Sequence, residues 1–144
     1  MFSKACEYGI RASIFIAKNS HEGRRVSPKE ISKQIDSPQA FTAKILQALV
    51  RHHIIKSVQG AYGGFEIDKD LIATIKLSQI VEAIDGNSVY SSCGLGLKEC
   101  NKNHPCPMHD KFESIRNDLR DMLENTNLEE LATGLKNGKA FLKI

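Results

Sequence analysis

Three of the four cysteines, Cys93, Cys100 and Cys106, fall within one stretch of fourteen residues, and Pro105 and Pro107 bracket the last of them. The stretch is rich in Gly and Asn and reads as a loop. Thiolates gathered in one loop point to a metal or a redox event, whereas a disulfide framework spreads its cysteines along a small secreted chain. The gaps between them are six and five residues, too wide for the C-x2–4-C knuckle that opens a zinc site. Three thiolates with a looser fourth ligand suit an iron–sulfur cluster better, of two-iron or four-iron type. The competing reading is three redox-sensitive or inert thiols without metal. Cys6 stands apart on a helical stretch, where a cysteine is most often a small core residue.

The rest of the chain has to position that loop. At 144 residues it reads as one domain, or one domain with an appended helix, long enough to bury a core. No run is long and apolar enough to span a membrane, and the first residues lack the order of a signal peptide, so a cytoplasmic location with reduced thiols is expected. The net charge of +3 is unevenly spread: residues 1–60 carry about +6 and residues 61–144 about −3. A basic head on an acidic body suits a polyanion bound at one end.

Ser3 can cap a helix to about Asn19, in which Ala5, Tyr8, Ala12, Phe15 and Ile16 recur at helical spacing. Ser27-Pro28-Lys29-Glu30 is a helix start with Ser at the N-cap, Pro at the first position and Glu at the capping-box distance. That helix is short, to about Gln34. After a turn, Ser37-Pro38 opens a longer one through Arg51, with Phe41, Ile45, Leu46, Leu49 and Val50 on its apolar face. This is the helix-turn-helix plan. Two β-prone runs, Ile54–Val58 and Phe65–Ile67, flank the turn Gln59–Gly64 and predict a hairpin placed as a wing. Another amphipathic helix, Leu77–Ile84, ends at Gly86. From Pro107 a long helix carries Met108, Phe112, Ile115, Leu119 and Met122 at heptad spacing, a seam for a partner helix. A short helix capped by Asn127 and a tail over 138–144 close the chain.

The predicted architecture is thus mainly α with a small β-hairpin: a winged helix-turn-helix domain over 1–86, a cysteine loop over 87–106, and a dimerisation helix with its tail over 107–144. A helix-turn-helix places the start of its second helix against base edges in the major groove of double-stranded DNA. Here that start comprises Ser37, Pro38, Gln39, Ala40 and Thr42, with Lys44 one turn on. Gln39 has the amide that reads adenine, and the backbone N–H groups of a helix start favour phosphate. Arg24, Arg25, Ser27 and Lys29 form a phosphate-attracting approach, and Ser57, Gln59 and Tyr62 of the wing turn are placed for the backbone or minor groove. Two-fold logic then predicts a homodimer on a palindromic operator.

Tyr8-Gly9-Ile10-Arg11-Ala12, Leu46-Gln47-Ala48-Leu49, the wing Lys56-Ser57-Val58-Gln59-Gly60-Ala61-Tyr62-Gly63-Gly64-Phe65 and the helix Leu77-Ser78-Gln79-Ile80-Val81-Glu82-Ala83-Ile84-Asp85-Gly86 resemble the bacterial IscR/NsrR/CymR regulators over nearly the whole chain. The resemblance implies a winged-helix transcription regulator, often a repressor, dimeric through a long C-terminal helix. Such proteins usually carry Arg before the first wing glycine; Gln59 stands there, a weaker partner for a narrow minor groove. Cluster-binding members have three cysteines at this place with about five residues in each gap, and the first gap here is one longer. The resemblance also implies a fourth ligand in one of two places. His109 occupies the Cys-x-x-His position of IscR-like members, and Glu7 the place of an acidic residue that NsrR-like members contribute from the other subunit; His104 is a weaker candidate.

The leading expectation is a transcriptional regulator, repressor more than activator, whose operator affinity follows an iron–sulfur cluster sensing nitric oxide, redox state or cluster supply. The alternative is a cluster-free regulator controlled by thiol oxidation or a partner protein, as CymR-like members are. An enzyme is disfavoured: the sequence holds no nucleophile–base pair, phosphate loop or paired-acid motif.

Overall fold

A computed structural model describes residues 1–144. The first helix, α1 (Lys4–His21), begins where Ser3 predicts, the Ser3 hydroxyl accepting a hydrogen bond from the Cys6 N–H at 3.0 Å. Asp85 pins the same cap from elsewhere: its carboxylate accepts from the Ser3 N–H at 2.9 Å and from the Ser3 hydroxyl. Ser27 caps α2 (Pro28–Gln34) by accepting from the Glu30 N–H, with Pro28 at the first helical position. The next helix, α3 (Gln39–Arg51), follows a turn in which Asp36 takes a positive φ of 53°. Its apolar side, Ile45, Leu46 and Leu49, is buried against α1 and α2. Phe41 meets Tyr8 edge-on at 5.7 Å between ring centroids, and the Arg11 guanidinium covers the Tyr8 ring.

The hairpin is shorter than the sequence suggests: β1 (Lys56–Val58) pairs antiparallel with β2 (Gly64–Glu66), Ser57 opposite Phe65. Ile54, Ile55 and Ile67 instead leave the ladder to anchor it in the core. The double glycine is a steric requirement. A Cβ on Gly63 would lie 2.1 Å from the Val58 carbonyl oxygen, and Gly64 combines φ 139° with close approach to the Val26 carbonyl. That approach lets Val26 and Phe65 exchange backbone hydrogen bonds at 3.2 and 2.8 Å, tying the wing to the segment before α2.

Two short helices are not evident from the sequence, α4 (Lys69–Ile72) and α6 (Ser88–Ser91); between them runs α5 (Leu77–Asp85), which Gly86 closes as expected. The long helix α7 (His109–Asn125) starts two residues later than Pro107, because residues 106–108 form a turn closed by the His109 N–H on the Cys106 carbonyl at 3.0 Å. The last helix, α8 (Leu128–Lys136), is capped by Asn127 as predicted. It returns to the head and packs along α1. Backbone bonds from Leu77 to Thr126 and from Leu128 to Ile75 stitch the α7–α8 corner to the start of α5.

One buried cluster therefore contains Ile16, Leu46, Leu49 and Ile80 of the head together with Leu123, Leu128 and Ala132 of the C-terminal helices. Each fully buried Leu or Ile contributes about 1.5–3 kcal/mol by leaving water. The predicted seam on α7 splits over this core. Phe112 and Leu119 are half-buried toward their own chain, with Leu119 on the core, whereas Met108, Ile115 and Met122 stay exposed, seven residues apart. No helix is long and apolar enough to cross a membrane.

Candidate metal centre and nucleic-acid interface

The exposed side of α3 carries Gln39, Ala40 and Lys44, with Pro38 exposed at the cap and Ser37 half-buried beside it. Thr42 departs from the expectation of a reading residue. Its side chain is fully buried, its hydroxyl donating to the Pro38 carbonyl at 2.9 Å and bonded to the Ser37 hydroxyl. Those two hydroxyl contacts fix the helix start. The exposed stripe instead continues through Gln47 and Arg51, which sequence reasoning passed over although they follow Ala40 and Lys44 at the i+3/i+4 spacing of one face.

The two arginines expected to attract phosphate are partly committed inside the chain. Arg24 pairs with Glu30 and donates to the Asn19 side chain at 2.8 Å. Arg25 donates to Glu66 at 3.0 Å and to the Tyr62 carbonyl at 3.3 Å. It thus braces the wing. Ser27 and Lys29 are exposed, as are Ser57, Gln59 and Tyr62, the last 92 % accessible at the wing tip.

The cysteine loop folds onto α7, where Cys100 meets His109 and Arg116. Cys93 and Cys106 are buried and Cys100 half-buried, and all four cysteines are free thiols. The Leu97 and Leu95 N–H groups draw the Cys93 thiol below its ordinary pKa against the opposing cost of burial, with Cys106 lowering it further. The Leu95 N–H lies 3.4 Å from the Cys93 sulfur. Cys100 is held from the other side: His109 Nδ1 is 3.5 Å from its sulfur, and the Arg116 guanidinium donates to it at 3.0 Å while also reaching the Ser92 carbonyl at 3.3 Å. Gly94 makes the docking feasible, since a Cβ there would lie 2.4 Å from the Phe112 ring. His109 is buried, and its Nε2 has no hydrogen-bond partner.

Of the fourth-ligand candidates, only His109 has a contact with a loop cysteine. Glu7 lies on α1, half exposed and paired with Lys4 at 2.8 Å; the Lys4 hydrogen bond lowers its carboxyl below the usual range. His104 is exposed. Cys6 is fully buried, and burial, with Asp85 beside it, pushes its thiol up to about 12. The donor set at the loop, three sulfurs with backbone N–H groups aimed at one of them and an imidazole at another, fits an iron–sulfur cluster.

The sequence profile of Rrf2, described as an iron-dependent transcriptional regulator, matches residues 2–134. The chain belongs to the Rrf2 family. Among curated relatives, a helix-turn-helix transcriptional regulator of Aquifex aeolicus is 29 % identical over 91 % of this chain and 90 % of its own. IscR of Escherichia coli is 25 % identical over 86 % of this chain and 75 % of its own. The fold is that of CymR, the global cysteine regulator of B. subtilis, with a TM-score of 0.75 at 21 % identity over 92 % of this chain and 96 % of that one. T. potens IscR superposes with a TM-score of 0.74 at 18 % identity, covering 97 % and 91 %. An Rrf2 protein is a DNA-binding transcription regulator and not an enzyme, and its hairpin is the wing of a winged helix.

Gln39→Ala is expected to weaken binding to the specific operator by roughly 1–3 kcal/mol while sparing nonspecific DNA. Competition binding on both DNAs at one salt concentration checks this; equal losses on the two would remove Gln39 from base reading.

Proposed function

We propose that this Rrf2 regulator is a homodimer whose grip on a palindromic operator is set by an iron–sulfur cluster held by Cys93, Cys100 and Cys106. The observation that carries the reading is the placement of the cysteines around the start of α7: Cys106 closes the turn before it, Cys100 lies against His109 and Arg116, and backbone N–H groups face Cys93. The family's description as iron-dependent supports it. His109, against Cys100, is the fourth donor its own chain offers; Glu7 is the donor a partner subunit would bring. Such a cluster supplies reversible electron uptake and a lability toward nitric oxide and oxidants.

The chain's own residues would carry the signal. Arg116 links Cys100 and the Ser92 carbonyl to α7, so a change at the sulfurs acts on the helix that bears Met108, Ile115 and Met122. The α7–α8 corner is in turn stitched to α5 in the head. Regulation requires only that the two states of the loop differ in affinity for the operator. The reading heads would contact DNA through Gln39, Ala40 and Lys44, with Ser37 and Pro38 at the cap, Lys29 and Ser27 toward phosphate, and the Ser57–Tyr62 turn on the flank.

A second reading keeps the DNA binding and dispenses with metal: Cys93, whose thiol the Leu97 and Leu95 N–H groups draw below its ordinary pKa, is a thiol suited to oxidation. Anaerobic purification with iron and sulfide counting separates the two. Coloured protein containing acid-labile sulfide, whose operator affinity shifts on nitric oxide titration, supports the cluster; colourless, iron-poor protein that still responds to disulfide formation supports the thiol switch.

A further inference from the structure

The start of α7 holds a set of donors that the three sulfurs do not use. His109, Asp110 and Glu113 each offer a ligand atom, and these atoms lie within 4.8 Å of one another. They line a cleft that Lys102 and the buried Cys106 also border. The spacing follows from the helix: residues four apart stack on one face, which places Glu113 over His109.

Carboxylates gathered on a helix end are commonplace; the imidazole makes this set different. His109 is only 7 % accessible. Its Nδ1 is engaged by the Cys100 sulfur, and its Nε2 is buried without a partner. An imidazole with one nitrogen engaged by a neighbouring group and the other bare is the arrangement of a metal-ligating histidine. A buried polar atom left unpaired calls for an explanation, and the chain has only one other such side-chain atom, the Tyr90 hydroxyl. The positive charge now facing Glu113 is the Lys102 ammonium, 2.9 Å away on a side chain 77 % exposed, which swings into solvent at little cost.

We propose that the chain lacking its cluster binds a single divalent transition cation, of the Fe²⁺ or Zn²⁺ class, through His109, Asp110 and Glu113, the cation displacing Lys102. Imidazole with two carboxylates selects such an ion over Mg²⁺ and Ca²⁺, which prefer all-oxygen shells. His109 faces Cys100 through Nδ1 and has Nε2 free, so an ion held on Nε2 sits directly beside the sulfur loop. The cluster-free protein is then held in a defined metal-bound state instead of an empty one.

Co²⁺ is the probe, added anaerobically to full-length, cluster-free protein while the visible d–d bands are recorded. One equivalent is expected to bind the parent chain and the triple variant Cys93→Ala/Cys100→Ala/Cys106→Ala, with at least tenfold weaker binding in Asp110→Asn and in Glu113→Gln. Circular dichroism confirms that α7 persists in each. The proposal is overturned if the parent chain takes up no Co²⁺, or if the triple cysteine variant loses the ion while the two carboxamide variants keep it. The sulfur-free variant cannot hold a cluster, so its Co²⁺ binding stands or falls separately from the cluster reading.

Discussion

Ile115→Arg is expected to convert the proposed dimer to a monomer and to lower affinity for a two-half-site operator by roughly 10²- to 10⁴-fold, the advantage lost when two tethered heads become independent. Ile115 is 61 % exposed at the centre of a stripe flanked by Met108 at the cap of α7 and Met122 within it, 37 % and 48 % exposed. A guanidinium there is well solvated in the monomer but is desolvated without a counter-charge between two helices. The fold of each chain should survive, because Leu119 and Leu123 secure α7 to its own core from the other side. Analytical ultracentrifugation reads the association state, and operator binding in the same buffer reads the affinity. A variant that stays dimeric would move the dimer contact off this stripe.

The second large effect is expected from Cys93→Ala, compared with Cys6→Ala. Loss of Cys93 should bring iron and sulfide in anaerobic material close to zero, a greater loss than the roughly 10- to 100-fold that removing an outer hydrogen-bond partner causes at a metal site. Operator affinity should then become insensitive to nitric oxide. Cys6→Ala should leave iron content and response unchanged: its thiol is fully buried, held protonated with a pKa of about 12, and set against Asp85. Iron analysis and operator titration of both proteins provide the check. Equal iron in the two variants would show that the loop thiols do not hold the metal.

Much of this was legible in the residues because local chemistry dictates it. Ser3, Ser27 and Asn127 announce helices that they cap, and Gly63-Gly64 announces a turn that no side chain could occupy. What escaped was set by contacts between distant segments. The burial of Thr42 depends on how α3 lies on the head, and the pairing of Arg25 with Glu66 depends on the hairpin returning beside the α1–α2 loop. Both residues have polar side chains of a DNA-contacting type, so composition alone assigns them outward. Heptad spacing likewise marked five apolar residues on α7 without revealing that two turn toward the chain's own body. At the sulfur loop, the cysteines and His109 could be listed from spacing. The part played by Arg116, sixteen residues beyond Cys100, could not.

The sewn corner between α5 and α7–α8 has an evolutionary corollary. Since Leu123, Leu128 and Ala132 complete the same interior as the N-terminal head, exchanging those last helices for another module would open that interior to water. The segment from Ser92 to Pro107 carries far less of that interior and is fastened at a few points, Gly94 against Phe112 and Arg116 against Cys100 among them. Descendants of this scaffold are therefore free to revise what they detect by rewriting some fifteen residues, while the apparatus that reads the genome stays intact.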